Sequence, residues 1–392
     1  MSDIVIAAAR RTPIGSFLGN LNGVPTPVLG ATAIRAALEQ TGIAGEEVSE
    51  VLMGCVLPAN LGQAPARQAA LGAGLPESTS CSTVNKVCGS GMKTVMLGHD
   101  LIKAGSADIV VAGGMESMSN APHMIPNSRG GNRFGNFAVV DHMAWDGLTN
   151  PYDGQAMGVF GEATADRYGF TREQQDAFAS DSVRRALAAQ AGGRFAAEIA
   201  SVLVASRKGE TLVEQDEEPG RCNLDKIPSL RPAFRKDGGT ITAATSSSIS
   251  DGAAALVLMT AEEATRRGLT PLARIVGHAS HAQEPEWFTT APVGAIGKLL
   301  QRTGWRTDEV DLFEINEAFA VVTMAAMHDH GIARDKVNVN GGACALGHPI
   351  GASGARILVT LLHAMAAREA RRGIATLCIG GGEATAVAVE RI

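Results

Sequence analysis

Positive charge in excess, aromatic side chains, long apolar runs and paired cysteines are all scarce in this chain. Its 34 lysines and arginines face 40 acids, giving a net charge of -6 and a pI near 5.9. No global field therefore draws nucleic acid or an anionic membrane, although local basic clusters stay open. No apolar stretch approaches the roughly 20 residues that cross a bilayer. The start, Met1-Ser2-Asp3-Ile4-Val5-Ile6-Ala7-Ala8-Ala9-Arg10, places an acid before a short apolar run and reads as a first strand rather than a secretory leader. The final Val389-Glu390-Arg391-Ile392 is no peroxisomal address, so a cytoplasmic location is expected. The six cysteines (Cys55, Cys81, Cys88, Cys222, Cys344, Cys378) have neither zinc-site spacing nor the density of a disulfide scaffold, and reduced thiols are expected. No P-loop or dinucleotide glycine motif is present, so an adenine nucleotide would be held otherwise.

What is abundant is glycine. Forty-six glycines against 4 % aromatics predict close backbone packing and many tight turns. With 392 residues, 45 % of them hydrophobic, the chain can bury a large core and is long enough for two or three domains. Three blocks recur in the same order about 260 residues apart. Residues 47–54 parallel 309–316. Cys88-Gly89-Ser90-Gly91, with its apolar run to Ala104, parallels Gly351-Ala352-Ser353-Gly354 with its run to Arg368. Residues 107–114 parallel 375–382. The second pair reads as a glycine turn opening a buried helix. The third reads as an uninterrupted apolar strand, as a sheet covered on both faces requires. Two similar α/β units are predicted, with gene duplication as the account of the symmetry and chance likeness of glycine turns as its rival. Residues 119–249 break the pattern with turns and charges. There Thr171-Arg172-Glu173-Gln174 is a capping-box start, and residues 175–191 have helical spacing.

Four glycine-rich settings hold polar groups suited to chemistry. Cys88 stands where a loop meets a helix, whose free amides and dipole would favour a thiolate and lower its pKa. A small buried hydrophobe is the alternative, but the flanking Gly89 and Gly91 admit close backbone approach and favour a nucleophile. His348, between Gly347 and Pro349, sits in a rigid setting suited to taking a thiol proton. The other eight histidines lack such a context and read as surface groups. Cys378 ends an apolar strand before Gly380-Gly381-Gly382, whose bare amides suit a negative oxygen; a buried packing thiol is the bland reading. Asn316, in Asn-Glu-Ala-Phe-Ala, reads from position alone as either a helix cap or a functional amide. Cys55, Cys81, Cys222 and Cys344 read as packing residues.

In this order over the whole chain, the set resembles the active site of the thiolases. The resemblance implies an α/β fold of duplicated βαβαβαββ halves forming a five-layered α-β-α-β-α core with an inserted loop domain. The halves would be residues 1–118 plus 250–268 and residues 269–392, with 119–249 as the loop domain for coenzyme A binding and oligomerisation. It makes Cys88 the acyl-carrying nucleophile, His348 its activator and Cys378 the acid/base at the α-carbon. Asn316 would hold a water that, with His348, binds the thioester oxygen, and the amides of Cys88 and Gly380 would form a second oxyanion site. Coenzyme A contacts map onto Leu148, Met157, Phe234, Ala243 and Ser247, with Met157, Phe288 and Phe319 near the acyl chain. Arg207, Lys208, Arg221 and Lys226 are candidates for the nucleotide phosphates, each singly also readable as a solvated charge. No metal or redox cofactor is expected; acyl-CoA and coenzyme A are the substrates. Neither nucleic acid nor membrane is expected as a partner. A homotetramer is, with 123–141 as its loop.

The chain departs from the short-chain biosynthetic branch in the pocket. Ala156-Met157-Gly158 replaces His-Met-Gly, Thr245-Ser246-Ser247-Ser248 replaces Asn-Ala-Ser-Gly, and Trp287-Phe288 replaces Val-Met. A lost imidazole removes a polar contact on the pantetheine side, and the aromatics are expected to reshape an apolar pocket. Acetoacetyl-CoA is the expected substrate, with a degradative thiolase for longer or branched 3-ketoacyl-CoA as the alternative. A decarboxylating ketosynthase would carry two histidines, and a non-catalytic acyl-CoA-binding protein would lack one of Cys88, Asn316, His348 or Cys378.

Overall fold

In a computed structural model, residues 3–131, 133–206 and 209–392 are described. The first strand runs Ile4–Arg11, and Met1 and Ser2 lie outside the described residues. It sits near the middle of a mixed ten-stranded sheet. On one side, in order, lie Ser250–Thr260, Val110–Ser117, Glu50–Gly54 and Ser80–Val84; on the other lie Ala273–Ala282, Glu383–Glu390, Arg372–Ile379 and Leu312–Ile315; the tenth, Gly15–Ser16, pairs with Ser250–Thr260 off this path. The inner pairs are antiparallel and the outer ones parallel in both halves. The halves join through a short antiparallel contact, Val5 opposite Arg274 and Ile6 opposite Ala273.

Two helices, Ser90–Lys103 and Ser353–Ala367, fill the space between the half-sheets. Met92, Val95, Ile357, Leu358 and Leu361 meet Leu52, Val110, Leu256, Ala375 and Val387 there. Nearly every residue of Ser353–Met365 is buried, so this helix is covered all round rather than along one stripe. Helices Thr26–Thr41 and Pro65–Gly72 cover the outer face of the N-terminal half-sheet. Ala291–Thr303 and Ala320–His330 cover that of the C-terminal half. The stack is helix, sheet, helix, sheet, helix, the five layers expected.

The internal symmetry is reciprocal at its centre. A Cβ on Gly91 would lie 2.9 Å from the Ala355 nitrogen, and one on Gly354 would lie 2.4 Å from the Met92 nitrogen. Each helix thus uses its matched glycine to let the other's first turn approach. The first pair of blocks also holds: turns Gly45–Glu47 and Thr307–Glu309 precede the equivalent strands, and in each a glutamate accepts from a backbone N–H three residues earlier, Glu47 from Ala44 and Glu309 from Arg306. The third pair is out of register. Val110 stands opposite Glu50 as Gly373, not Cys378, stands opposite Leu312. Gly113 and Gly114 lie inside their strand because neighbouring backbone crowds them there, whereas Gly380, Gly381 and Gly382 follow theirs in a turn.

Between the half-sheets' strands, the chain from Met118 onward builds helices Met157–Tyr168 and Arg172–Ala191 and the hairpin of Val202–Ser206 with Gly209–Val213. The Thr171 side chain accepts from Gln174 N while Gln174 accepts from Thr171 N, the capping box the sequence predicts.

Candidate active site

Cys88 sits in a strained turn pinned from both halves. Val87, a β-branched residue, is held in the left-handed region at φ 45°. Asn85 Oδ1 accepts from Val87 N at 2.9 Å, and Ser90 Oγ accepts from Lys86 N at 2.8 Å while donating to Val87 O at 2.6 Å. Lys86 pairs with Glu383 across the halves. Gly89 presses on Ile379, beside Cys378: a Cβ there would lie 2.3 Å from the Ile379 Cδ1. The turn therefore delivers one half's cysteine to the strand end that carries the other.

The expectation of an acidified Cys88 does not hold in the unliganded protein. The backbone amides of Gly380 and Cys88 reach the sulfur and lower its pKa, but burial outweighs them and pushes it up to about 11. Cys378 is also raised, first by burial and then by the repulsion it would meet from a Cys88 thiolate nearby. Both sulfurs rest as thiols, close enough to feel each other.

His348 is fully oriented by its surroundings. Its N–H donates to Ser248 O at 3.1 Å, and its Nδ1 bonds to Ser353 Oγ, which donates its own proton to Pro349 O at 2.8 Å. Since the one hydroxyl proton of Ser353 is used, this network assigns the imidazole proton to Nδ1 and leaves Nε2 bare. Burial, with a contribution from the Arg356 charge, lowers His348 to about 3, so the ring is neutral at physiological pH. Nε2 lies 3.5 Å from Asn316 Nδ2.

Asn316 is not a helix cap. The helix Ala320–His330 is capped at Phe319 without a side-chain bond. Asn316 instead donates its own N–H to Thr376 O at 3.0 Å, faces His348, and keeps a buried Oδ1 with no protein partner, an acceptor left for water or ligand. The adjoining Glu317 accepts from Ser182 Oγ, Asn338 Nδ2 and Cys344 N, fixing the turn. Glu116, another buried carboxyl, accepts from Val56, Leu57 and Gly351 N–H groups and binds the two halves beneath Cys88; burial pushes it up to about 7.

Beside these groups lies a cavity of about 370 Å³ whose wall includes Leu148, Met157, Phe234, Ser247, Phe319 and His348, all named from sequence. Four expected contacts, Ala243, Phe288, Arg221 and Lys226, do not line this cavity. Ala243 is exposed. Phe288 is buried behind the wall, edge-on to Phe160 at 6.2 Å and in one apolar cluster with Cys378. Its neighbour Trp287 lies under Arg167, 4.6 Å from ring centroid to guanidinium, and neither aromatic lines the cavity. Arg221 is exposed and drawn to Glu217 at 2.9 Å, a carboxylate already tied to Ser16 and Asn20 N–H groups. Lys226 is exposed, and Arg207 and Lys208 lie outside the described residues. The surface reading of the lesser histidines also fails for His142, which is buried and 2.6 Å from Asp146.

Sequence reasoning missed Ser353 and Glu116. Ser353 had a signal: it is the repeat partner of Ser90, and both serines return a proton to a backbone carbonyl beside the site. Glu116 had none beyond being an acid in an apolar strand.

Residues 4–262 match the family description "Thiolase, N-terminal domain", and residues 269–391 match "Thiolase, C-terminal domain". The chain is similar to an acetyl-CoA acetyltransferase of Chromobacterium violaceum, 53 % identical over 391 residues, covering 99 % of this chain and 100 % of the relative. An acetyl-CoA acetyltransferase of Cupriavidus necator is 52 % identical over 393 residues, covering 100 % of both. Acetyl-CoA acetyltransferase 2 of Arabidopsis thaliana is 51 % identical over 390 residues, covering 99 % of this chain and 97 % of the relative. Two domain matches that run nearly end to end, over a five-layered fold and a paired-cysteine site, place this chain in the thiolase family.

Proposed function

We propose that this thiolase is an acetyl-CoA acetyltransferase that condenses two acetyl-CoA molecules to acetoacetyl-CoA and coenzyme A, and runs the reverse thiolysis. The reading is carried by Cys88 and Cys378 lying close enough to interact, with Cys88 packed against the Ile350 turn that holds His348, whose Nδ1 is bonded to Ser353.

In the first half-reaction His348 Nε2 takes the Cys88 proton as the sulfur attacks the thioester carbonyl. The carbon–sulfur bond to coenzyme A breaks, Cys378 gives its proton to the departing thiolate, and the acyl group stays on Cys88. In the second half Cys378, now a thiolate, removes the α-proton of a second acetyl-CoA. The resulting carbanion attacks the acyl carbonyl, and the released Cys88 sulfur recovers its proton from His348. The amides of Cys88 and Gly380, already directed at the sulfur, suit the acyl oxyanion. Asn316 and His348 suit the enolate oxygen, directly or through a water held by the free Asn316 Oδ1. No metal or redox cofactor is required, because the thioester makes the α-proton acidic and these donors stabilise the charge.

A cavity formed largely by apolar side chains with serines at one edge suits an acyl-pantetheine arm. Trp287 and Phe288 do not line it, and relatives about half identical over their full length are acetyl-CoA acetyltransferases, which favours the short-chain reading over longer chains. Coenzyme A-dependent cleavage of acetoacetyl-CoA, beside a longer straight-chain and a branched 3-ketoacyl-CoA, with Cys88→Ala as blank, tests this. Preference for acetoacetyl-CoA and loss of turnover in the blank are expected; preference for a longer or branched chain would refute the substrate.

A homotetramer belongs to the same proposal. Exposed apolar side chains concentrate at Ile125, Phe134, Phe137, Val139 and Trp145, and Phe134 is 99 % exposed, a cost that contact with a second copy removes. Light scattering at micromolar concentration should give a tetrameric mass, and a dimer would overturn it. Six unpaired cysteines suit the reducing cytoplasm, and the reaction suits fatty acid metabolism. No helix among the described residues is long and apolar enough to cross a membrane.

A further inference from the structure

About three turns along the Ser90–Lys103 helix from Cys88, two histidines close on one aspartate. His99 Nδ1 lies 2.9 Å from Asp100 Oδ1, and His278 Nε2, from strand Ala273–Ala282, lies 2.9 Å from the same oxygen. The imidazoles stand edge to face, 5.1 Å between centroids at 85°. One ligand atom from each residue falls within 4.8 Å of the other two.

We propose that His99, Asp100 and His278 form a divalent transition-metal site, with Zn²⁺ as the fitting ion, that clips the central helix of the N-terminal half to a strand of the C-terminal half. A tetrahedral zinc with bonds of about 2.0 Å sets its ligand atoms about 3.3 Å apart, so the two nitrogen–oxygen gaps need open by only a few tenths of an ångström. Two imidazoles and one carboxylate suit zinc and leave one position for water. The side chains are 16 % and 17 % exposed at the histidines and 54 % at Asp100, so the nitrogens are held by packing while the carboxylate side stays open to an entering ion. The two hydrogen bonds to Asp100 are what the metal replaces, each neutral imidazole then carrying its one N–H on the ring nitrogen away from the ion. Lys93 also faces His278 and opposes added positive charge, which weakens the site without removing a ligand.

The test is titration of the full-length, metal-stripped protein with Zn²⁺ by calorimetry and thermal melting, alongside His278→Gln and Asp100→Asn. One ion per chain is expected, with a rise in melting temperature of about 3 °C at a hundredfold excess over the dissociation constant. Each variant should lose affinity at least tenfold while keeping acetoacetyl-CoA thiolysis. No binding to the wild type, or binding that survives both substitutions, overturns the site. Co²⁺ on the wild type reads the ligands even if a variant fails to fold: a ligand-field spectrum without thiolate charge transfer fits the proposed set, whereas a thiolate band assigns the ion to the cysteines and refutes it.

Discussion

Replacing Ser353 with alanine should disable His348 without touching any substrate contact. Ser353 Oγ is the hydrogen-bond partner of Nδ1 and passes its own proton to Pro349 O. Without the hydroxyl, a buried Nδ1–H loses its acceptor, at a cost of about 1–3 kcal/mol. The ring escapes part of that cost by moving its proton to Nε2, where it faces the Asn316 amide and no longer presents a lone pair to Cys88. Either the histidine keeps the useful tautomer at that cost or it adopts the wrong one. At about 1.4 kcal/mol per decade, kcat for acetoacetyl-CoA thiolysis should fall about 5–150-fold. KM should change by less than about threefold, since Ser353 is absent from the cavity wall. Single-turnover acetylation of Cys88, followed by mass spectrometry, should slow in parallel, and Ser353→Thr should restore much of the rate. A Ser353→Ala enzyme that acetylates and turns over within twofold of wild type would refute the assignment of the proton to Nδ1.

Other perturbations separate chemistry from packing. Asn316→Ala should cost about 3 kcal/mol, or roughly a hundredfold in kcat, with helix content unchanged by circular dichroism; a stability loss with normal turnover would restore the capping role. Gly91→Ala forces a Cβ to 2.9 Å from Ala355 N and should destabilise by about 1–3 kcal/mol in urea unfolding, and an unchanged midpoint would mean the central helices can separate freely. The buried His348 and Glu116 push stability in opposite directions with pH and offset each other between about pH 4.5 and 6.5, so their sum falls only below about 4.5 and slightly up to about 7. His348, near 3 folded against about 6.5 unfolded, costs nothing above the unfolded value and removes up to about 5 kcal/mol as pH falls towards 3. Glu116, near 7 folded against about 4.5 unfolded, contributes stability below the lower value that is lost, by about 3 kcal/mol, as pH rises to the upper one. Urea midpoints should fall from about pH 4.5 to 7 in His348→Asn, where Glu116 acts unopposed, and rise from about pH 3 to 6.5 in Glu116→Gln, where His348 does; unchanged slopes would dismiss both groups.

Much of the site was readable because its residues announce themselves in short motifs. Cys88 stands between glycines, His348 between glycine and proline, Cys378 before three glycines, and each needs that backbone locally whatever the rest of the chain does. The repeat was readable for the same reason, and it led to the two central helices and their paired glycines. It failed where glycine means two things: Gly113 and Gly114 sit inside a strand under crowding from neighbouring backbone, while Gly380, Gly381 and Gly382 turn the chain. Composition cannot distinguish a glycine required by a close neighbour from one required by a turn.

By itself the sequence determined the order of strands and helices, the residues able to do the chemistry, and the likeness of the two halves, since these depend on local pattern and side-chain type. Only the tertiary structure decided the protonation states and the wall of the cavity. Cys88 has a helix and two amides in its favour, yet burial by residues from distant parts of the chain keeps it a thiol. His348 owes its bare Nε2 to Ser353, and Phe288 packs edge-on to Phe160 outside the lining of the cavity. Desolvation and hydrogen-bond direction are set by which surfaces meet across the fold, and no run of neighbouring residues specifies that.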